Sequence, residues 1–308
     1  MRLCLATAAL LALVPTGGCM AREPSCFTRR PSVVLPDRNR VLANLTHGAA
    51  GQALAEAILD GRLDDARAML RHDPRLIDTA VRPDPRMPQQ PAGQYGDLLT
   101  FAVARCDGDA IAMLLGAGMS ANGVRPGGAL SLAVLADTPA LAEQLLGAGA
   151  SPDPQALPGG EDPMRSAIAF SNLGAVMTLL RHGADPRWTD RFGVDRVRLA
   201  LDAEQALIAE LLVEHGGTLF GVAEDGSTAA HLLAEPALIF NDAEQRAARD
   251  RLRARAEAGP LGWPLPDRAT IRARIAAGEW PTSAQAQAGL HIAPALRDRL
   301  RAAATTTH

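Results

Sequence analysis

The sequence contains no lysine: all 31 of its basic residues are arginine, which reads as a bias of the coding genome. Against 34 acidic residues they leave a formal charge of −3 at pH 7. So small a balance supplies no global field for nucleic acid or for an acidic membrane surface. Aromatic side chains make up 3% of the chain, although 47% of it is hydrophobic. A core of that composition is built from Leu, Ala, Ile and Val, which suits closely stacked helix pairs better than a sandwich. None of the four cysteines forms a C-x-x-C, so a zinc ribbon or thioredoxin-like motif has no support. G-x-S-x-G, H-E-x-x-H and a phosphate-cradling Gly loop are missing as well. Gly127-Gly128 and Gly159-Gly160 have no strand before them and no helix-start Lys after them, and the paired acids Asp64-Asp65 and Glu161-Asp162 read as solvated helix starts. These absences argue against an enzyme, a cofactor, a metal, a small-molecule substrate and a nucleic-acid partner.

What is present is a repeat. Gly118, Gly149, Gly183 and Gly216 follow one another at intervals of 31, 34 and 33 residues. Each closes an apolar helical seam: Met113-Leu114-Leu115, Leu145-Leu146, Leu179-Leu180 and Leu211-Leu212, with Ile111, Leu141, Val176 and Ile208 one turn earlier. That is helix spacing and not strand spacing. The clearest unit runs from Pro163 to Gly193. Pro163 suits the first turn of a helix, where a missing N–H costs nothing. Ala167 lets neighbouring helices approach, Leu179 and Leu180 fill the seam, and Gly183 supplies the left-handed helix end. Asp185-Pro186 and Asp190-x-x-Gly193 are turn chemistry.

These residues resemble an ankyrin repeat, whose period is about 33 residues. Asp225 to Ala234, DGSTAAHLLA, comes nearest to that family's signature. The resemblance covers roughly 180 residues. It implies an all-α ankyrin-repeat solenoid of helix-turn-helix-finger units with a C-terminal helical cap. The domain reading is 1–18 signal peptide, 19–48 tether, 49–234 about five repeats plus a degenerate sixth, and 235–308 cap. The finger after the first repeat is about a dozen residues longer than the family period allows. The cap carries eleven Arg from residue 243 onward against six acidic residues, read as a solvated face. His231 matches the family's structural His. Arg196 and Arg198 stand where the family has Pro and His.

The N-terminus has Arg2, an apolar run from Leu3 to Val14, then Pro15-Thr16-Gly17-Gly18-Cys19, a secretory signal too short to span a bilayer. Small residues before Cys19 resemble the bacterial lipobox, which implies cleavage and acylation there and a periplasmic, outer-membrane-anchored lipoprotein. Cleavage after Ala21 is the alternative. In an oxidising compartment the remaining Cys26 and Cys106 make one pair, and a disulfide between them would strap the N-terminal segment across the second repeat. His72, His182 and His215 precede the ends of second helices and read as C-terminal caps.

For function the resemblance implies protein binding, as an envelope scaffold or adaptor or, alternatively, as an immunity or inhibitor protein that neutralises a periplasmic effector. The candidate surface is the finger residues Arg187, Trp188, Arg191 and Phe192, joined by Phe170 and Arg105 into one patch, since Trp, Arg and Phe are enriched in interface cores.

Overall fold

A computed structural model describes residues 26–29, 38–82, 96–235, 242–287 and 289–305. Cys19 and residues 1–18, read as a signal peptide, lie outside the described residues. The described chain is helical, and its only β pairing consists of isolated bridges. The helices are α1 Arg38–Leu42, α2 Gly48–Leu59, α3 Leu63–His72, α4 Leu98–Ala104, α5 Gly108–Gly116, α6 Gly128–Ala133, α7 Ala140–Gly147 and α8 Pro163–Ala169. They continue as α9 Leu173–Arg181, α10 Arg196–Asp202, α11 Ala206–Glu214, α12 Ala229–Ala234, α13 Ala243–Glu257, α14 Arg268–Ala276, α15 Ser283–Gln287 and α16 Pro294–Thr305.

Local chemistry sets the ends of these short helices. Asp97, Asp107, Asp162, Asn172 and Asp195 each accept a backbone N–H of the first turn, which satisfies one donor that the helix itself leaves unpaired. The far ends of α5, α7, α9 and α11 close on Gly118, Gly149, Gly183 and Gly216, whose φ values of 97, 92, 88 and 100° are left-handed. The tight turn between paired helices also needs a left-handed residue, supplied by Gly61, Cys106, Ser171 and Glu204 in four of the pairs.

Two rows result. α2, α4, α6, α8, α10 and α12 pack in succession, and beside them α3, α5, α7, α9, α11 and α13 do the same. The seam leucines Leu114, Leu145, Leu179 and Leu212 are fully buried between the rows. Burying each is worth about 2 kcal/mol, while none of these helices is long enough to be stable alone. Stacking continues past the boundary read at residue 234. α13 takes the second-helix place beside α11, burying Ala248, Leu252 and Ala256, and Arg251 clamps Glu210 with two bonds of 2.7 and 2.6 Å. Beyond it α14 packs on α16, with Ile271, Ile275, Leu296 and Leu300 buried.

At the helix-turn edge the N-terminal segment is strapped on. Cys26 and Cys106 form a disulfide with Cα atoms 5.8 Å apart. Phe27 is buried, the Cys26 carbonyl accepts from Asp137 N at 2.6 Å, and the Asp137 carboxylate accepts the N–H groups of Thr28 and Arg29 at 2.8 and 2.9 Å. Those bonds, the Thr28 hydroxyl first, hold the Asp137 carboxyl below the usual carboxylate range. No helix among the described residues is long and apolar enough to cross a membrane.

Candidate functional site

The connectors that lead from each second helix to the next first helix form the edge opposite the turns, and they are bonded side by side. Ser151 N donates to Asn122 Oδ1 at 2.8 Å, Glu161 N to the Pro126 carbonyl at 2.9 Å, Asp185 N to Asp153 Oδ2 at 2.7 Å, and Glu224 N to the Phe192 carbonyl at 2.8 Å. Each of three successive connectors turns one large apolar side chain outward. Val124, Leu157 and Phe192 are 44, 42 and 47% exposed. Packed helices lie about 8–10 Å apart, so three neighbouring tips span about 20 Å.

Beneath this edge sits Arg196, at 1% exposure the largest fully buried side chain. It donates to the Asp185 carbonyl at 2.6 Å and to Asp153 Oδ1 at 2.6 Å, with Asp162 Oδ1 at 3.5 Å. Trp188 lies on its guanidinium at 5.6 Å, a cation–π contact. One buried cation thus ties two connectors to the start of α8. Next to it Asp195 caps α10, accepting from Arg198 N at 2.7 Å through Oδ1, while Oδ2 is buried without a partner. Burial pushes this carboxyl up to about 7, against the pull of the Arg198 N–H and guanidinium.

The six residues expected to form one patch are divided. Phe192 and Arg191 are exposed on the connector tip, with the Arg191 guanidinium 4.6 Å over the Phe192 ring. Trp188 is half-buried on Arg196, and Arg187 donates through Nε to the Gly216 carbonyl at 2.6 Å, two residues past the end of α11. Phe170 and Arg105 lie elsewhere. Both follow the C-terminal ends of first helices, on the turn edge, where Phe170 packs against the core and Arg105 donates to the Leu59 carbonyl. Seven helical residues, about 10 Å, separate Phe170 from Asp162 at the connector edge. Arg187 and Arg105 are both engaged with backbone carbonyls, and only Arg191 and Phe192 remain presented together.

Sequence reasoning missed Val124 and Leu157, because a single apolar residue in a Gly- and Pro-rich stretch carries no periodic signal. It also passed over Arg196 as a departure from pattern, although an arginine at the start of a buried helix must bring its own acids. The histidines act locally. His182 Nε2 lies 2.8 Å from Glu143 Oε2, His215 Nδ1 lies 2.9 Å from the Leu211 carbonyl, and His231 completes a capping box with Thr228 while reaching the Pro266 carbonyl at 3.1 Å. Among the described residues no three His, Cys, Asp or Glu side chains are grouped to hold a metal. A groove of 840 Å³ between α3 and α5 is lined by charges of both signs, Asp64, Arg67, Arg71 and Asp109, over Leu70 and Met113. No protein-family model matches the chain, and no curated protein is significantly similar to it.

Proposed function

We propose that the chain is an ankyrin-type repeat protein of the bacterial envelope, tethered through an acylated Cys19, whose connector edge binds another protein as a scaffold or adaptor. It is an interaction module and not an enzyme. The repeat reading is supported by the glycine spacing and by the two rows of stacked helices. The binding reading rests on one observation: three consecutive connectors, bonded to each other, each expose a large apolar residue that the core has room to leave outside. Each of Val124, Leu157 and Phe192 has about half its surface left to bury, worth about 1 kcal/mol apiece. Flanking Arg125 and Arg191 supply the polar rim that apolar anchors need. Replacing Val124, Leu157 and Phe192 together by Ser tests this. The variant should lose its co-purifying envelope partner while unfolding at the wild-type temperature, and undiminished recovery of the partner would remove the edge as the binding surface.

A further inference from the structure

Two places in the chain are built alike and bonded differently. Asp97 caps α4 and Asp195 caps α10, and 26 residues after each stands a glycine, Gly123 and Gly221, whose missing Cβ lets the carboxylate approach. The residue after that glycine is Val124 in one case and Val222 in the other. Val124 N donates to Asp97 Oδ2 at 2.6 Å. Val222 N instead donates to the His291 carbonyl at 2.9 Å, and Asp195 Oδ2 is left buried with no partner. The C-terminal segment has therefore taken a hydrogen bond that the local architecture elsewhere gives to an aspartate.

That segment reaches the binding edge. His291 N donates to the Phe220 carbonyl at 3.2 Å and Thr218 Oγ1 to the Gly289 carbonyl at 2.7 Å, while Leu290 and Ile292 are buried. From α16, Leu296 packs against Gly193, and Arg299 Nη2 donates to the Arg191 carbonyl at 2.5 Å, with its Nε 3.9 Å from Glu224. The connector that carries Arg191 and Phe192 is thus held from behind by the C-terminal helix.

We propose that the segment from Gly289 through α16 is a proton-dependent clasp on the Phe192 connector: docked, it leaves Asp195 neutral, and on release an ionised Asp195 takes the Val222 N–H as Asp97 takes that of Val124. One N–H with two competing acceptors is a two-state element that protonation can bias. The charged groups around Asp195 are Arg198 and Asp202, those around His291 are Arg187 and Asp185, and Arg299 faces Glu224. The sign follows from the docked-state shifts. The Asp195 carboxyl, raised to about 7 when docked, favours docking at low pH, and that contribution is lost as pH rises toward 7 and is level above it. His291, lowered by burial beside Arg187, works oppositely, disfavouring docking as pH falls below its ordinary range.

The consequence for partner binding rests on the connector-edge reading, but the test contains no partner, so the two stand or fall separately. Amide hydrogen exchange of residues 289–300 is followed in the mature full-length protein carrying His291→Gln, which removes the opposing titration. After correction for intrinsic rates, protection should fall by up to tenfold per pH unit between about pH 5 and 7 and then level, the limit for one proton. Adding Asp195→Asn should flatten the profile, whereas Asp97→Asn should leave it sloped. A flat profile in the His291→Gln protein, or a slope that survives Asp195→Asn, overturns the proposal. Should Asp195→Asn not fold, carboxyl-carbon NMR of the wild-type chain decides instead. The Asp195 midpoint should lie near neutrality and drop toward the ordinary carboxylate range when Leu296→Asp ejects the segment, and a midpoint unmoved by that change overturns the proposal.

Discussion

Replacing Arg196 by Met leaves a side chain that fills the space of the arginine stem and removes the guanidinium with its charge and donors. Asp153 and Asp162, with side chains 19 and 11% exposed, then face each other across the connector edge without a cation, and the Asp185 carbonyl loses its donor. Removing one partner from a buried ion pair costs about 3–5 kcal/mol. Both aspartates keep some access to water, which places the expected loss near the lower end, about 3 kcal/mol. Urea denaturation at pH 7 measures it as a lower midpoint with an unchanged slope. Trp188, stacked on the guanidinium in the wild type, should report the change by a shifted emission. Adding Asp153→Asn to Arg196→Met should restore part of the loss, with a coupling energy on the order of 1–2 kcal/mol for groups in direct contact. An Arg196→Met protein within about 0.5 kcal/mol of wild type would refute the reasoning, because that is the range of surface substitutions away from any such network.

Other expectations are independent of that network. Cys26→Ser with Cys106→Ser opens a link across 80 residues of sequence and should destabilise the fold by about 4 kcal/mol, and thiol labelling of protein isolated without reductant should find neither cysteine reactive. Cys19→Ala should release the protein from the membrane fraction or block its maturation, and unchanged membrane association would sink the anchor reading. Leu145→Ala, at a fully buried seam position, should cost about 2–5 kcal/mol in thermal or chemical denaturation, whereas Met177→Ala, 47% exposed on α9, should change stability little.

Helices were legible in the sequence because their signals recur: a leucine seam and a closing glycine at a regular interval on the second helices, and a capping Asp or Asn before α4, α5, α8, α9 and α10. Continuation of the stack into α13 was not. Ala248, Leu252 and Ala256 form a thin apolar stripe among arginines, and only contact with α11 shows that this stripe faces inward. The candidate edge was half legible. Trp188, Arg191 and Phe192 stood out by composition, yet sequence could not say that Trp188 would settle on Arg196 while Phe192 stayed out. That depends on Asp153, 43 residues before Arg196, which lies in a different connector. Phe170 and Arg105 were misplaced because their positions follow first helices, and a helix of about 10 Å puts its two ends on opposite edges of the stack.

Photo-crosslinking in the intact envelope tests the connector edge most directly. A photoreactive residue placed singly at Val124, Leu157 or Phe192 should give one crosslinked product of the same mass from all three positions. Placed at Met177, on the exposed face of α9, it should give none. Crosslinking from Met177 but from none of the three tips would contradict the account.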